Sequence, residues 1–249
     1  MSRSNPTENQ PHPCTRWFEW SGESGTLAYY DKVKEEKINI GSKFKFILLD
    51  SLAVVKGWHE PSESGITSNE VRDTKAERMV VKAFKGGILA EGFYASIRDR
   101  VKSVGGHFTS NLYIAFKGEQ GLQLGSLQLK GAALNAWVDF SKDNRAVLYK
   151  KAITITGFEE GKKGKITSRV PVFKSVELAP ESDAEAGKID KDILQPYLAG
   201  YFKRTRIDQV SAPAAAEPPQ GDDEPPVSEP GPEAQPDESP TDDSDSVPF

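Results

Sequence analysis

Cys14 is the only cysteine among 249 residues, so no internal disulfide can form and no cysteine cluster can hold zinc. That scarcity fits a reducing cytoplasm. Histidine is nearly as rare: His12, His59 and His107 lie far apart, at no metal-ligand spacing. Gly86-Gly87 and Gly118-Glu119-Gln120-Gly121 read as turn glycines, because no Gly-Lys-Ser/Thr of a phosphate loop follows a strand. Gly125-Ser126 lacks the second glycine of a nucleophile elbow. The expectation is therefore a protein that is not an enzyme and needs no metal or cofactor. Carboxylates that meet only in space keep a nuclease open as an alternative. Long hydrophobic runs are missing too. The most apolar stretch, 46–55, contains Asp50 and Ser51 and is too short to span a bilayer. No apolar stretch follows a basic start, so neither a signal peptide nor a membrane partner is expected, and a cytoplasmic location is.

Positive charge is absent from one whole region. Residues 211–249 hold eleven Asp or Glu and no Lys or Arg, whereas residues 1–210 hold 32 basic and 26 acidic side chains, a net of +6. A basic body joined to an acidic tail suits a body that meets polyanions and a tail that can imitate one. Ten of the 17 prolines also fall in 211–249, with no aromatic before Phe249. Such a segment buries too little apolar surface to offset its ordering entropy, so it is predicted to be disordered. Residues 1–14 are predicted to be a disordered arm, leaving a folded body over 15–210.

The body reads as short strands punctuated by glycine. Strands are predicted over 15–20, 26–30, 43–50, 52–58, 78–85, 88–92, 107–117, 122–129, 146–158 and 166–178. Helices are predicted over 94–104, ending at Gly105-Gly106, and over 132–140 and 190–203. Glu159-Glu160-Gly161-Lys162-Lys163-Gly164-Lys165 reads as a basic hairpin tip. Strands before a mid-sequence helix and a further strand pair after it follow the order of an oligonucleotide-binding (OB) barrel. The predicted fold is thus mainly β: an elaborated OB-fold-like barrel with two or three short helices, plus the disordered acidic tail.

Aromatic residues are threaded through Lys and Arg along these strands. Single-strand binding without sequence preference needs cations that follow phosphates and rings that stack under any base. Arg78, Lys82 and Phe84 share one strand face by period two, and Tyr113 shares a face with Lys117. Arg16 and Trp17 begin a three-ring run, Tyr30 ends a strand, and Trp58 stands at a strand end before a polar loop. Lys162, Lys163 and Lys165 form a basic finger. These twelve residues are the candidate nucleic-acid contacts, while Phe44, Phe46, Phe116 and Trp137 read as core. Tyr149 shares a face with Ile153 and Ile155 and is predicted to point inward. For each candidate ring, burial and base stacking both stay open at this point.

The sequence closes on Asp242-Asp243-Ser244-Asp245-Ser246-Val247-Pro248-Phe249. A terminal Phe offers a ring for an apolar pocket and a carboxylate for a cation at its lip, and Pro248 stiffens the approach. This ending resembles the C-terminal tip of bacterial single-stranded-DNA-binding proteins: several Asp, a branched apolar residue, Pro and Phe. Asp242, Asp243 and Asp245 match the acidic run, Val247 the branched residue, and Pro248 and Phe249 the final pair. Ser244 and Ser246 dilute the charge, and Val247 stands where Ile or Leu is commoner. The size of the body is similar to that of bacteriophage replication proteins with an elaborated OB fold and an acidic tail ending in Phe. The resemblance implies a protein of DNA replication, recombination or repair that coats single-stranded DNA and recruits partner proteins through Asp242, Asp243, Asp245, Val247, Pro248 and Phe249. The alternative is a β interaction module, such as a phage assembly or adaptor protein, whose tail docks on a partner without DNA affinity. A homo-oligomer stays open.

Overall fold

Among the described residues eleven strands join one mixed sheet, several of them alternating apolar and polar side chains. The computed structural model describes residues 11–31, 33–119, 121–163 and 166–211, without the side chains of Lys163, Ile166 and 206–211. The strands are β1 (Arg16–Ser21), β2 (Thr26–Asp31), β3 (Glu36–Gly41), β4 (Phe44–His59), β5 (Ser64–Ser68), β6 (Met79–Ala83), β7 (Gly87–Gly92), β8 (Gly106–Gly118), β9 (Gly121–Lys130), β10 (Ala152–Lys163) and β11 (Ile166–Val176). Helix α1 (Tyr94–Ser103) precedes β8, and α2 (Gly131–Asp143) follows β9. Helix α3 (Pro180–Ile189) runs through a π-helical segment, Asp190–Leu194, into α4 (Gln195–Ser211). The chain divides into two units, 1–211 and 212–249. Among the described residues no helix is long and apolar enough to cross a membrane.

The sheet order is β3-β2-β1-β9-β8-β4-β5-β6-β7, and β10 joins β4 and carries β11. β1 and β9 run parallel, and the other pairs are antiparallel. β4 has 16 residues, enough for two neighbours along one side. Its start pairs with β10 and its end with β5, while β8 follows most of its other side. The break predicted at Ser51 is absent: the strand runs through it in register with β8, and the one register shift in this pairing lies earlier, between Leu48 and Asp50. β11 returns to the turn after β1: the Arg169 amide donates to the Gly22 carbonyl at 2.7 Å, and Trp20 Nε1 donates to the Arg169 carbonyl at 2.8 Å.

Three apolar clusters fix this arrangement. The first, inside the circuit β1-β9-β8-β4-β10-β11, includes Phe18, Phe46, Leu112, Ile114, Leu127, Ile153 and Phe173, with Trp137 of α2 packed against them. The second lies on the other side of β8 and β9, where Ala186, Ile189, Leu194 and Leu198 of the C-terminal helices cover Leu52, Tyr113, Ala115 and Leu124. The third seats α1, through Tyr94, Ile97 and Val101, on Val55, Ile66, Met79 and Val81. Each fully buried large side chain contributes roughly 1.5–3 kcal/mol.

Several expectations change. β3 and β5 were not predicted, since their sequences, EKINIG and SGITS, carry few apolar residues. Residues 144–150 are turns, so period two does not reach Tyr149, whose ring is exposed. Helix α3 was missed, although Pro180 at its start and Glu181 and Asp183 in its first turn suit a helix N-terminus. Folded structure also begins earlier than residue 15: Cys14 is buried, and the His12 ring lies 5.1–6.0 Å from the rings of Trp17, Tyr113 and Tyr197. The rest of the arm, 1–10, and the tail 212–249 lie outside the described residues.

Candidate nucleic-acid interface

Strand pairing places Trp58, Lys82 and Phe84 together on one open face of β4, β5 and β6. Trp58 pairs with Gly65, and the Phe84 amide donates to the Gly65 carbonyl at 3.1 Å. Paired residues in a sheet project to the same side, so both rings rise beside Gly65. A Cβ on residue 65 would stand 3.1 and 3.2 Å from Cε2 and Cδ2 of Phe84. The missing side chain thus lets the Phe84 ring reach across β5 towards Trp58. Both rings meet water: Phe84 is 76% exposed and Trp58 52%. Buried Met79, Val81 and Ala83 alternate with exposed Lys82 and Phe84, which holds β6 to this orientation.

A second row runs beside the first, two residues further along each strand. Pairing aligns His107 with Lys56, Lys56 with Thr67, Thr67 with Lys82 and Lys82 with Ile88. His107, Lys82 and Ile88 are exposed. Lys56 is partly covered, and its Nζ donates to the Thr67 hydroxyl at 2.9 Å. Burial holds Lys56 below the ordinary lysine value, against the pull of the Glu70 and Glu19 carboxylates. His107, Lys56, Gly65, Thr67 and Ile88 were not predicted as site residues. Lys56 was legible, being two residues from Trp58 on one strand; the others depend on which strand lies beside which.

Further along the same face the sheet turns dry. Glu70 follows β5, and its Oε1 accepts from Asn111 Nδ2 at 2.5 Å and its Oε2 from the Tyr113 hydroxyl at 2.7 Å. Its amide donates to the hydroxyl of Tyr201 on α4 at 2.7 Å. Asn111 Oδ1 accepts from the Ser126 hydroxyl. Burial raises Glu70 above the usual carboxylate range, while these hydrogen bonds and Lys56 draw it back. His12 is held down to about 4 by burial and by Lys56. Asp50, also buried, is gripped by Arg72 at 2.9 and 2.7 Å, and that guanidinium lies over the Phe202 ring.

This packing corrects one predicted contact. Tyr113 is fully buried beneath the C-terminal helices, because β8 is central and covered on both faces. Arg16 places its guanidinium 4.8 Å from the Tyr29 ring and 5.7 Å from that of Phe116, on the side of the first core cluster. Trp17 lies partly covered against the second cluster. Tyr30 is exposed, paired with Lys37 at the β2–β3 edge and four strands from Trp58. Arg78 stands on the Lys82 side, its guanidinium 3.3 Å from Glu91. Lys117 is exposed ten residues along β8 from His107, about 34 Å away. Lys162 lies on a paired strand opposite Thr167, β10 extends to Lys163, and Lys165 lies outside the described residues, as do Asp242, Asp243, Asp245, Val247, Pro248 and Phe249.

Among the described residues no group of three or more His, Cys, Asp or Glu is arranged to hold a metal ion. No protein-family model, curated protein or solved structure matches the chain.

Proposed function

We propose that this chain is a single-stranded-DNA-binding protein of DNA replication, recombination or repair, acting in the cytoplasm of a bacterial cell or phage-infected host. The observation that carries the reading is the double row on β4–β6: two exposed rings flanking a glycine, beside a row with Lys56, Lys82 and His107. Rings of this kind contribute roughly 1–3 kcal/mol per stacked base without reading its identity, and the cations follow phosphates. In this reading the circuit β1-β9-β8-β4-β10-β11 is an elaborated OB-like barrel, and β5–β7 extend its working face. The protein does no covalent chemistry. The Asp242, Asp243, Asp245, Val247, Pro248 and Phe249 motif recruits replication or recombination proteins.

The test is oligo-dT titration of the full chain at two salt concentrations, with Trp58→Ala and Phe84→Ala beside it. Log affinity should fall linearly with log salt, and each substitution should weaken binding at both concentrations. Unchanged binding in both variants would refute this site. A second reading is favoured by Ile88, which is 63% exposed beside Lys82 and adds aliphatic surface that bases do not require. In that reading the patch docks a protein, and no oligo-dT binding appears even at low salt.

A further inference from the structure

The spacing of the two rows defines the form of nucleic acid and its path. Resting on the single-strand reading above, we infer that the strand crosses β4, β5 and β6 at right angles to them. Successive unstacked bases lie on Trp58 and Phe84, phosphates lie along Lys56, Thr67 and Lys82, and Gly65 is the positioning residue for the platform. Trp58 and Phe84 are two strands apart, about 9.5 Å between backbones. The cation row lies two residues further along, about 6.6 Å away. Both rows therefore run across the sheet, parallel to each other.

A duplex keeps neighbouring bases on a strand stacked at about 3.4 Å and faces them to partners. Two rings standing on backbones about 9.5 Å apart cannot both stack on neighbours about 3.4 Å apart in such a column. They can do so once the column is opened and each base lies flat on its own ring. The ligand class is thus an unpaired strand with its bases turned towards the protein. Gly65 matters because any Cβ there meets the Phe84 ring at 3.1 Å, so a larger residue lifts the ring off β5 and narrows or tilts the platform. No positive φ is required at Gly65, so a β-branched residue suits its backbone and perturbs chiefly the ring.

The experiment compares wild type, Gly65→Val, Phe84→Ala and the double variant for oligo-dT affinity and salt slope, with thermal unfolding as the folding control. Phe84→Ala should weaken binding roughly 5- to 150-fold. Gly65→Val should weaken it to a similar degree, with an unchanged salt slope, and the double variant should be no weaker than Phe84→Ala alone. Lys82→Glu should reduce the salt slope by about one, and Lys188→Glu on α3 should leave it unchanged. If Gly65→Val unfolds, Gly65→Ala takes its place with a smaller loss in the same direction. Gly65→Val at wild-type affinity beside a weakened Phe84→Ala would overturn the positioning role and leave the single-strand reading intact. Wild-type affinity in Phe84→Ala as well would overturn both. Duplex competing as well as oligo-dT would overturn the unpaired-strand path.

Discussion

Replacing Tyr113 with Phe separates burial from base stacking at the residue where the two readings diverge most. The ring is fully buried, and its hydroxyl donates to Glu70 Oε2 at 2.7 Å with His12 Nε2 3.4 Å away. Phe fills the same space but leaves one carboxylate oxygen without this donor in a site largely closed to water. A hydrogen bond to a charged group is worth about 1.5–3 kcal/mol. For a chain of this size each kcal/mol moves Tm by roughly 2–4 °C, so Tm should fall by about 3–12 °C.

The loss should also depend on pH. The Tyr113 hydrogen bond is one of the forces lowering the Glu70 pKa, so Phe lets burial raise it further. An acid whose folded pKa lies above its unfolded value binds more protons when folded, and stability then falls as pH rises through that window. The gap between variant and wild type should therefore be smallest in acid, where Glu70 is protonated in both, and widen towards neutral pH. Urea unfolding at a series of pH values measures this, with oligo-dT titration alongside. Oligo-dT affinity should not change. Equal stability at neutral pH, or weaker DNA binding with stability intact, would show that the buried network does not do what its geometry implies.

Three further perturbations test the packing around this network. His12 is held down to about 4, so the unfolded chain binds the extra proton between pH 6.5 and 4. Stability present above that window should be lost as pH falls through it, by on the order of 1–2 kcal/mol after allowing for the water-exposed part of the ring, and His12→Phe should flatten that part of the acid unfolding curve. Arg72→Met should cost about 2 kcal/mol in chemical unfolding by stranding buried Asp50, and adding Asp50→Asn should recover part of it. Gly105 has φ +88° and a Cβ there would stand 2.3 Å from the Trp58 carbonyl oxygen, so Gly105→Ala should lower Tm and disturb the end of β4.

Much of the strand content was legible because it is local. Alternation in 78–85 places Lys82 and Phe84 outward before any partner strand is known, and the structure keeps them so. The glycine stop at 105–106 ends α1 where expected. What alternation cannot supply is the neighbour. β5 has the sequence SGITS, with little apolar signal, yet it is the strand that brings Trp58 and Phe84 into one row. Its glycine reads locally as a weakness in a strand, and only the Phe84 ring above it gives the missing side chain a purpose.

Wet and dry halves of the face are a still less local property. Tyr113 pairs with Asp50, and Trp58 lies eight residues further along the same strand on the same side of the sheet. Period two therefore gives the two rings one orientation and no means of telling them apart. One is sealed and the other open because Leu194, Leu198, Tyr197 and Phe202 from the end of the folded region pack over the Tyr113 half and stop short of Trp58. The burial of Tyr113 is thus set by apolar spacing about eighty to ninety residues later in the chain. A substitution that frees α4 from this face should add buried aromatic and polar surface to the open half. Its effect on DNA binding would then appear together with a loss of stability, whereas substitutions at Trp58 or Phe84 should change binding alone.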